Sequence, residues 1–493
     1  MRTQAGSSRF TFANFRRFLT EHYPLIGVLV GFAVASLSVG PFYNWDTSLE
    51  FDASVGVLNY GLPLMHHYGF PLANGAYLMD QPPLGFYIQA LFFKAFGVSI
   101  VNGTFLVTLF GLGCVALVYG IGTVAYNEIT GFFAALLFAF SPWHLFMSRS
   151  FLVDTPCLFF SLLSLFLGLI AVRKGALKLF TASGIVLAAA LSTKLYAVYM
   201  LVPLLAFFFY HRPRNLKRVV TWLAAFSIPI IIALFLWYQV ITGLGFSSIF
   251  SHNDFTIKNP TVVAPTPLFA TNFLVSYGLG WFFIDAILLS VLVGLYLRRP
   301  FHDALLFDAT CLATITCVLG VNIYLGAVLA LKVPFHNAIK FDYQALPFFS
   351  FLAASLVSKS LFLFKRSIFR SKAKKIFLVA VASVGLVLVM SALLYNMDKS
   401  HWLSTWNYLI FKADVNINEG YYVLNPTPIG ESGLLPVEYL GFAIALSAVV
   451  WISRHKLNLL LTTFRKKSAW HPVQSKILRN EKKVKKKIPP HQK

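Results

Sequence analysis

Long apolar stretches, separated by short polar segments, recur along almost the whole chain. Most run for about 17–25 residues, which is enough for a helix to cross roughly 30 Å of hydrocarbon. Because the bilayer core offers no water to backbone groups, such stretches must form helices or barrel strands, and their length selects helices. The pattern predicts an all-α, polytopic transmembrane helical bundle of about twelve spans. The spans lie roughly at 24–42, 104–125, 130–146, 152–172, 179–193, 195–210, 219–241, 272–296, 305–330, 343–363, 376–396 and 437–453.

Clusters of Lys and Arg indicate which connecting segments face the cytoplasm. They occur at Arg9, Arg16 and Arg17, at Arg173, Lys174 and Lys178, at Arg212, Arg214, Lys217 and Arg218, at Arg298 and Arg299, at 365–375, and from Arg454 onward. Placing all of them inside predicts that both termini are cytoplasmic and that loops 43–103 and 397–436 are external. The protein would then lie in the cell membrane, with an extracytoplasmic working face.

One apolar segment, Pro82 to Gly97, fits this topology only if it does not cross the membrane. It is short and carries Lys94, and a span here would move every later basic loop to the other side. We therefore predict an amphipathic helix on the outer surface, within the first external loop.

Composition supports the membrane interpretation and excludes other classes. The chain is 57% hydrophobic and 12% charged, against about 25% charged in an ordinary soluble domain. The net charge of +23 is concentrated in cytoplasmic segments, including a dense basic tail, and this fits anionic lipid better than nucleic acid. The four cysteines lie inside apolar runs, which predicts packing rather than disulfides or a metal cluster.

Polar side chains gather in the predicted external segments. They are Asp46, Glu50, Asp52, His66, His67, Asp80 and Gln81 in the first loop, then Trp143, His144, Arg149, Asp154, Lys194, His336, Lys340 and Tyr343. Ionisable groups at the membrane boundary are costly unless they pair or line a cavity. Cations beside carboxylates suit a lipid-linked phosphate substrate, because cations neutralise the phosphate while a carboxylate accepts a proton from an attacking hydroxyl.

Each group also has a simpler interpretation. Asp46 could cap a helix, since the sequence WDTSLE reads as a helix start. Arg149 and Asp154 could form a structural ion pair, and Lys194 or Lys340 could be anchors that extend to the interface. The histidines of the first loop could be ordinary loop residues. Asp285, in the middle of a predicted span, is expected to be a further buried acid.

The order of these motifs resembles a known family. A first span is followed by an acidic loop, by PPL with an apolar helix and FG, by SPWHLFMSRSFLVD, by TK and by a helix with the motif Y-x-x-x-P. This order resembles the protein O-mannosyltransferase and aminoarabinose-transferase group of C-type glycosyltransferases, and it covers about residues 20 to 350. The resemblance implies a catalytic core at 24–350, preceded by a basic cytoplasmic segment at 1–23. C-terminal helices at 351–453 and a basic tail at 454–493 would follow.

The resemblance implies roles for individual residues. Counting back from Gly61, Asp46 matches the family's catalytic aspartate, which would act as general base on the acceptor and invert the anomeric centre. The family has Glu at the next position, where this chain has Thr47, and Glu50 or Asp52 would substitute. The family's Lys before the proline pair is Gln81 here, so the donor phosphate contact is assigned to Arg149, Lys194 and Lys340.

Further polar residues are predicted to support the site or to hold a metal. Asp80, Gln81, Asp154, His336 and Tyr343 are assigned supporting or acceptor-binding roles. Some relatives place a divalent metal near the acid before the prolines and a histidine. Asp80 would hold it here with His144, or with His66, His67 or His336; otherwise no cofactor is expected.

The sequence thus predicts a membrane glycosyltransferase that uses a polyprenyl-phosphate-linked sugar. The acceptor, whether lipid, glycan or protein, stays open. Two alternatives are a lipid or sugar transporter or flippase, and a non-catalytic membrane subunit. A transporter would show inverted repeats and ionisable groups near the bilayer midplane, whereas here most polar groups cluster at one face.

Overall fold

The computed structural model describes residues 12–37, 45–64, 81–213, 215–243, 279, 281–297, 302–327, 342–367, 371–400 and 443–444. These residues are mainly helical and contain no β-strand, only isolated bridge residues at Leu64 and Ser150. The prediction of an all-α chain is therefore confirmed for the described part of the molecule.

The helices follow the apolar pattern closely. They are α1 Phe12–Leu37, α2 Trp45–Tyr60, α3 Leu84–Phe96, α4 Ile100–Ala125, α5 Glu128–Ala139, α6 Pro142–Arg149, α7 Asp154–Lys174, α8 Leu177–Thr193, α9 Leu201–Tyr210, α10 Leu216–Gly243, α11 Trp281–Tyr296, α12 His302–Ala327, α13 Leu346–Ser367 and α14 Lys372–Ser400. Short 3-10 turns at Leu195–Met200 and Tyr343–Ala345 precede α9 and α13.

Five of the described helices are long and apolar enough to cross a membrane, namely α4, α7, α10, α13 and α14. Others, such as α1, α8, α11 and α12, contribute shorter apolar segments. The total of twelve spans, the two termini and the surface position of α3 stay predictions, and the proposed last span falls almost wholly outside the described residues.

The predicted span at 130–146 is not one straight helix. It is divided into α5 and α6, which meet at an angle of 62°. Phe140 and Ser141 separate them, and Pro142 occupies the first turn of α6, where its missing N–H costs no helical hydrogen bond. Helix α6 ends at Arg149, and a short extended segment separates it from α7, which begins at Asp154.

Close helix packing in the core depends on small residues. α7 and α8 form an antiparallel hairpin whose turn uses Gly175 at φ 61°, and α8 packs in turn against α10. α4 packs against α5, where a Cβ on Gly122 would come 2.7 Å from the Cα of Gly131. Small residues let backbones approach where lipid provides no hydrophobic driving force between helices.

A second polar cluster, which the sequence did not indicate, lies among α11, α12 and α13. Lys359 Nζ donates to Asp308 Oδ2 at 2.6 Å, to Ser290 Oγ at 2.9 Å and to Ser355 Oγ at 3.1 Å. Tyr126, just after α4, donates to Asp308 Oδ1 at 2.6 Å. Asp308 and Lys359 are both buried, so the pair joins four parts of the bundle.

One expectation about charge burial was wrong. Asp285 on α11 is exposed at the protein surface rather than buried, because it lies on the face of the helix that the described neighbours leave open. Glu50 and Asp52 of α2 are only 4% and 5% exposed. The packing prediction for the cysteines is confirmed: Cys114, Cys157 and Cys311 are buried, Cys317 is half-buried, and all four are free thiols.

Candidate functional site

Helix α2 is attached to the start of α7 through Glu50. Glu50 Oε2 accepts a hydrogen bond from the backbone N–H of Val153 at 2.7 Å, and Oε1 accepts a longer one from Gln81 Nε2 at 3.5 Å. Val153 immediately precedes Asp154. The carboxylate therefore joins three segments that lie far apart in sequence, namely α2, the residue before the proline pair, and the turn between α6 and α7.

Aromatic packing supports the same junction. Phe51 of α2 packs edge-to-face on Phe93 of α3 and on Phe151 of the α6–α7 segment, with ring centroids 5.4 and 5.6 Å apart. Phe93 and Phe151 stack on each other at 5.7 Å. These three rings fix the position of α2 relative to α7, and so fix where the acids of α2 lie.

Asp154 and Lys194 form a buried ion pair. Lys194 Nζ donates to Asp154 Oδ2 at 2.6 Å, and the Tyr196 hydroxyl donates to the other carboxylate oxygen. Asp154 begins α7 and Lys194 follows the last residue of α8, so the antiparallel hairpin brings the two ends together. Asp154 is fully buried and Lys194 is 7% exposed.

The pair lies next to the Glu50 junction. Val153, which donates to Glu50, is the chain neighbour of Asp154, and the Glu50 carboxylate is close enough to Tyr196 to interact with it electrostatically. The structure thus brings Glu50, Gln81, Asp154 and Lys194 into one buried cluster, which we call the α2–α7 junction. Tyr196 was not predicted from the sequence, although it lies only two residues after Lys194.

Arg149 ends α6, five residues before Asp154. Its side chain is buried, and its Nε donates to the carbonyl of Leu145 at 3.1 Å. Among the described residues, Arg149 is therefore a second buried cation close in sequence to the junction.

Asp46 lies at the start of α2, one helical turn before Glu50. Residues four apart share a helix face, and the rise between them is about 6 Å. Asp46 is half-buried, whereas Thr47 is fully buried. Of the three acids of α2, Asp46 is therefore the most accessible to a substrate, while Glu50 is engaged in holding the helix in place.

His144 and Tyr343 form a third buried contact. Their Nδ1 and hydroxyl oxygen are 2.6 Å apart, and the Ser148 hydroxyl lies 3.4 Å from the same ring. Phe32 stacks on His144 with ring centroids 4.9 Å apart. The contact joins α6 to the turn before α13, and it gives both residues a supporting position within the core.

Several predicted site residues lie outside the described residues, namely His66, His67, Asp80, His336 and Lys340. Of the two residues predicted to hold a metal, Asp80 and His144, the structure therefore describes only His144. Within the described ranges, no group of three or more His, Cys, Asp or Glu side chains comes together to hold a metal ion, and one ring nitrogen of His144 already contacts Tyr343.

Residues 80–238 match the family model described as dolichyl-phosphate-mannose-protein mannosyltransferase. The match contains Gln81, Arg149, Asp154 and Lys194, and begins after α2. A Bacillus subtilis (strain 168) protein named "Putative mannosyltransferase YkcB" is 30% identical over 140 residues, which are 28% of this chain. The match spans only 19% of that protein's length.

Two solved structures of ArnT from Cupriavidus metallidurans are similar in fold. The first, bound to undecaprenyl phosphate, has a TM-score of 0.50 at 13% identity over 90% of this chain and 79% of its own. The second, in the apo state, has a TM-score of 0.50 at 13% identity over 89% and 77%. The resemblance to the C-type glycosyltransferases is confirmed in the fold.

Proposed function

We propose that the chain is a membrane glycosyltransferase that moves a sugar from a polyprenyl-phosphate-linked donor to an acceptor hydroxyl or other nucleophile. The observation that carries this proposal is the α2–α7 junction, where an accessible carboxylate at Asp46 lies one turn from a buried cluster that contains Asp154 and Lys194. The match of residues 80–238 and the fold of ArnT, whose structure was solved with undecaprenyl phosphate, support the same donor class.

The donor phosphate would be held by Lys194 and Arg149, with Lys340 as a further candidate. A lysine ammonium has three N–H donors. Among the described residues, Lys194 Nζ donates to Asp154. The ion pair therefore holds the ammonium in place while leaving donors for phosphate oxygens. Arg149 would add a bidentate contact of the kind that suits phosphate.

Neutralising the phosphate favours bond cleavage at the sugar. The leaving group is the polyprenyl phosphate, and negative charge grows on its bridging oxygen as the bond to the anomeric carbon breaks. Fixed cations near this oxygen stabilise the transition state without needing to reorganise. The buried setting of Lys194 and Asp154 strengthens this effect, because little water competes there.

Asp46 would act as the general base. The acceptor oxygen attacks the anomeric carbon from the side opposite the phosphate, and its proton passes to the Asp46 carboxylate. A single displacement of this kind inverts the anomeric configuration. A base that reaches the reacting proton typically contributes 10²–10⁴-fold. The partial exposure of Asp46 supports this assignment over Glu50, whose two oxygens accept hydrogen bonds from Val153 and Gln81.

Glu50 and Gln81 would position α2 rather than touch the reacting atoms. Asp52 and Tyr343 are buried and would support the site only through packing, while Asp80 and His336 would contact the acceptor. We place this site on the extracytoplasmic side of the cell membrane, since the basic loops favour that topology.

Reconstitution of the purified full-length chain with a labelled polyprenyl-phosphate sugar tests this function. Transfer of label to an added lipid, glycan or peptide acceptor is the expected result. Movement of intact labelled lipid between leaflets, with no transfer, would instead indicate a flippase. Neither transfer nor movement across a panel of donors would indicate a non-catalytic subunit.

A further inference from the structure

Tyr196 contacts both members of the buried ion pair. Its hydroxyl donates to Asp154 Oδ1, while Lys194 Nζ donates to the other carboxylate oxygen, Oδ2, at 2.6 Å. The same ammonium lies over the Tyr196 ring, 5.3 Å from the ring centroid. This distance is within the range of a cation–π contact. One side chain thus restrains the carboxylate through its hydroxyl and the ammonium through its ring.

The backbone holds Lys194 at a fixed place between α8 and the following 3-10 turn. The residue is extended, with φ −155° and ψ 129°. Its N–H donates to the carbonyl of Ala190 at 2.9 Å, and its carbonyl accepts from the N–H of Ala197 at 3.1 Å. Because both backbone groups are bonded, the position of the ammonium depends on the torsions of the flexible four-carbon side chain. The contacts with Asp154 and Tyr196 restrict those torsions.

The Tyr196 hydroxyl determines how much of the ammonium stays available to a ligand. A carboxylate has two acceptor oxygens, and an ammonium that bonds to both of them uses two of its three N–H donors within the pair. Here the hydroxyl occupies Oδ1 of Asp154, so the ammonium bonds to Oδ2 alone. Lys194 therefore keeps N–H donors for a further ligand.

We propose that Tyr196 is a positioning residue for the donor phosphate: it holds Asp154 and Lys194 so that the remaining N–H bonds of the ammonium are presented to phosphate oxygens. The inference rests on the proposed function, which assigns Lys194 to the phosphate. Tyr196 acts through the ion pair and does not touch the reacting atoms. A purely structural hydroxyl would affect stability alone, because its removal would leave a buried carboxylate oxygen without that donor.

Lipid binding by the full-length chain tests this proposal. The protein is placed in phosphatidylcholine nanodiscs, and its affinities for labelled undecaprenyl phosphate and for undecaprenol, which lacks the phosphate, are measured. Tyr196→Phe removes the hydroxyl and keeps the ring. We expect it to weaken binding of undecaprenyl phosphate about 3–10-fold, the equivalent of one net hydrogen bond. The affinity for undecaprenol should not change, and a structural function would not produce this selective loss.

Two controls separate the ion pair from the rest of the turn. Tyr199 lies in the same 3-10 turn and is buried, so Tyr199→Phe removes the same group nearby and should leave both affinities unchanged. The double variant Lys194→Met with Asp154→Leu leaves Tyr196 no pair to position. Adding Tyr196→Phe to it should change the affinity for undecaprenyl phosphate by less than about twofold. Melting temperatures confirm that each variant is folded.

Three results would overturn the proposal while the wild type still binds the lipid phosphate. The first is an unchanged affinity of Tyr196→Phe for undecaprenyl phosphate, with or without a lower melting temperature. The second is an equal loss in Tyr199→Phe, which would indicate a general disturbance of the turn. The third is the full loss in the double-variant background, which would place Tyr196 itself on the phosphate. Failure of the proposed function differs from all three, since the wild type would then bind undecaprenyl phosphate no better than undecaprenol, and this inference would fall with it.

Discussion

Lys194 Nζ lies 2.6 Å from Asp154 Oδ2, although the two residues are 40 positions apart, and both are buried. The pair closes the open end of the α7–α8 hairpin, next to the Glu50 junction. Its position allows two functions, one structural and one in phosphate binding. The two functions can be separated experimentally, because they respond differently when both charges are removed.

Lys194→Met should leave the Asp154 carboxylate buried without its cation, and we expect a loss of about 3–5 kcal/mol in the free energy of unfolding. Adding Asp154→Leu removes the uncompensated charge and should restore most of that stability. Sugar transfer should stay low in both variants, because the phosphate-binding ammonium is absent. Denaturation in detergent and a transfer assay measure the two effects. Recovery of transfer in the double variant would restrict Lys194 to a structural function.

The Asp308–Lys359 pair provides the matched comparison. It is also buried, with Nζ and Oδ2 2.6 Å apart, but it lies among α11, α12 and α13. Lys359→Met should destabilise the protein by a similar amount. Here the double variant with Asp308→Leu should recover most of the stability and, unlike the first pair, most of the transfer activity. Persistent loss of transfer in a stable double variant would contradict a purely structural function.

Glu50→Ala should release α2 from the α6–α7 segment, because Val153 N–H loses its acceptor. We expect a stability loss of about 1–3 kcal/mol from the buried N–H and a fall in kcat. Glu50→Gln keeps one carbonyl oxygen for Val153 and should recover part of the activity. Steady-state kinetics at saturating donor measure the effect. If Glu50→Gln were as inactive as an Asp46 variant, Glu50 itself would be the better candidate for the base.

Tyr343→Phe removes the hydroxyl that contacts His144 Nδ1. The buried imidazole then lacks its 2.6 Å partner, and we expect a loss of about 1–3 kcal/mol in stability. Because both side chains are enclosed by core aromatics, the KM for the acceptor should not change. A raised acceptor KM in a variant of unchanged melting temperature would show that Tyr343 contacts the acceptor.

Much of the helical architecture was predictable, because long apolar runs leave few alternatives in a membrane. The Asp154–Lys194 pair was also within reach, since a short turn at Gly175 makes the ends of α7 and α8 neighbours. The Asp308–Lys359 pair was not, because nothing local specifies which faces of α12 and α13 meet. The burial of Glu50 was missed for the same reason, since it depends on how α2 packs against the distant α6–α7 segment.

Sequence and structure also contribute differently to the choice of the base. The spacing from Gly61 identified Asp46 through the family resemblance, but it could not rank the three acids of α2 by environment. The structure ranks them: Glu50 and Asp52 are buried, and Glu50 is occupied by Val153 and Gln81, while Asp46 is half-buried. The assignment of Asp46 as the base stays a prediction, and its exposure makes it the acid of α2 to test first.

The most direct test of the proposed mechanism is the transfer rate of Asp46→Asn. This substitution keeps the shape of the side chain and removes its ability to accept a proton. We expect kcat to fall by about 10²–10⁴-fold, with donor affinity and melting temperature close to those of the wild type. Asp52→Asn is the matched control on the same helix and should retain most of its activity. A transfer rate near that of the wild type in a folded Asp46→Asn variant would contradict the account.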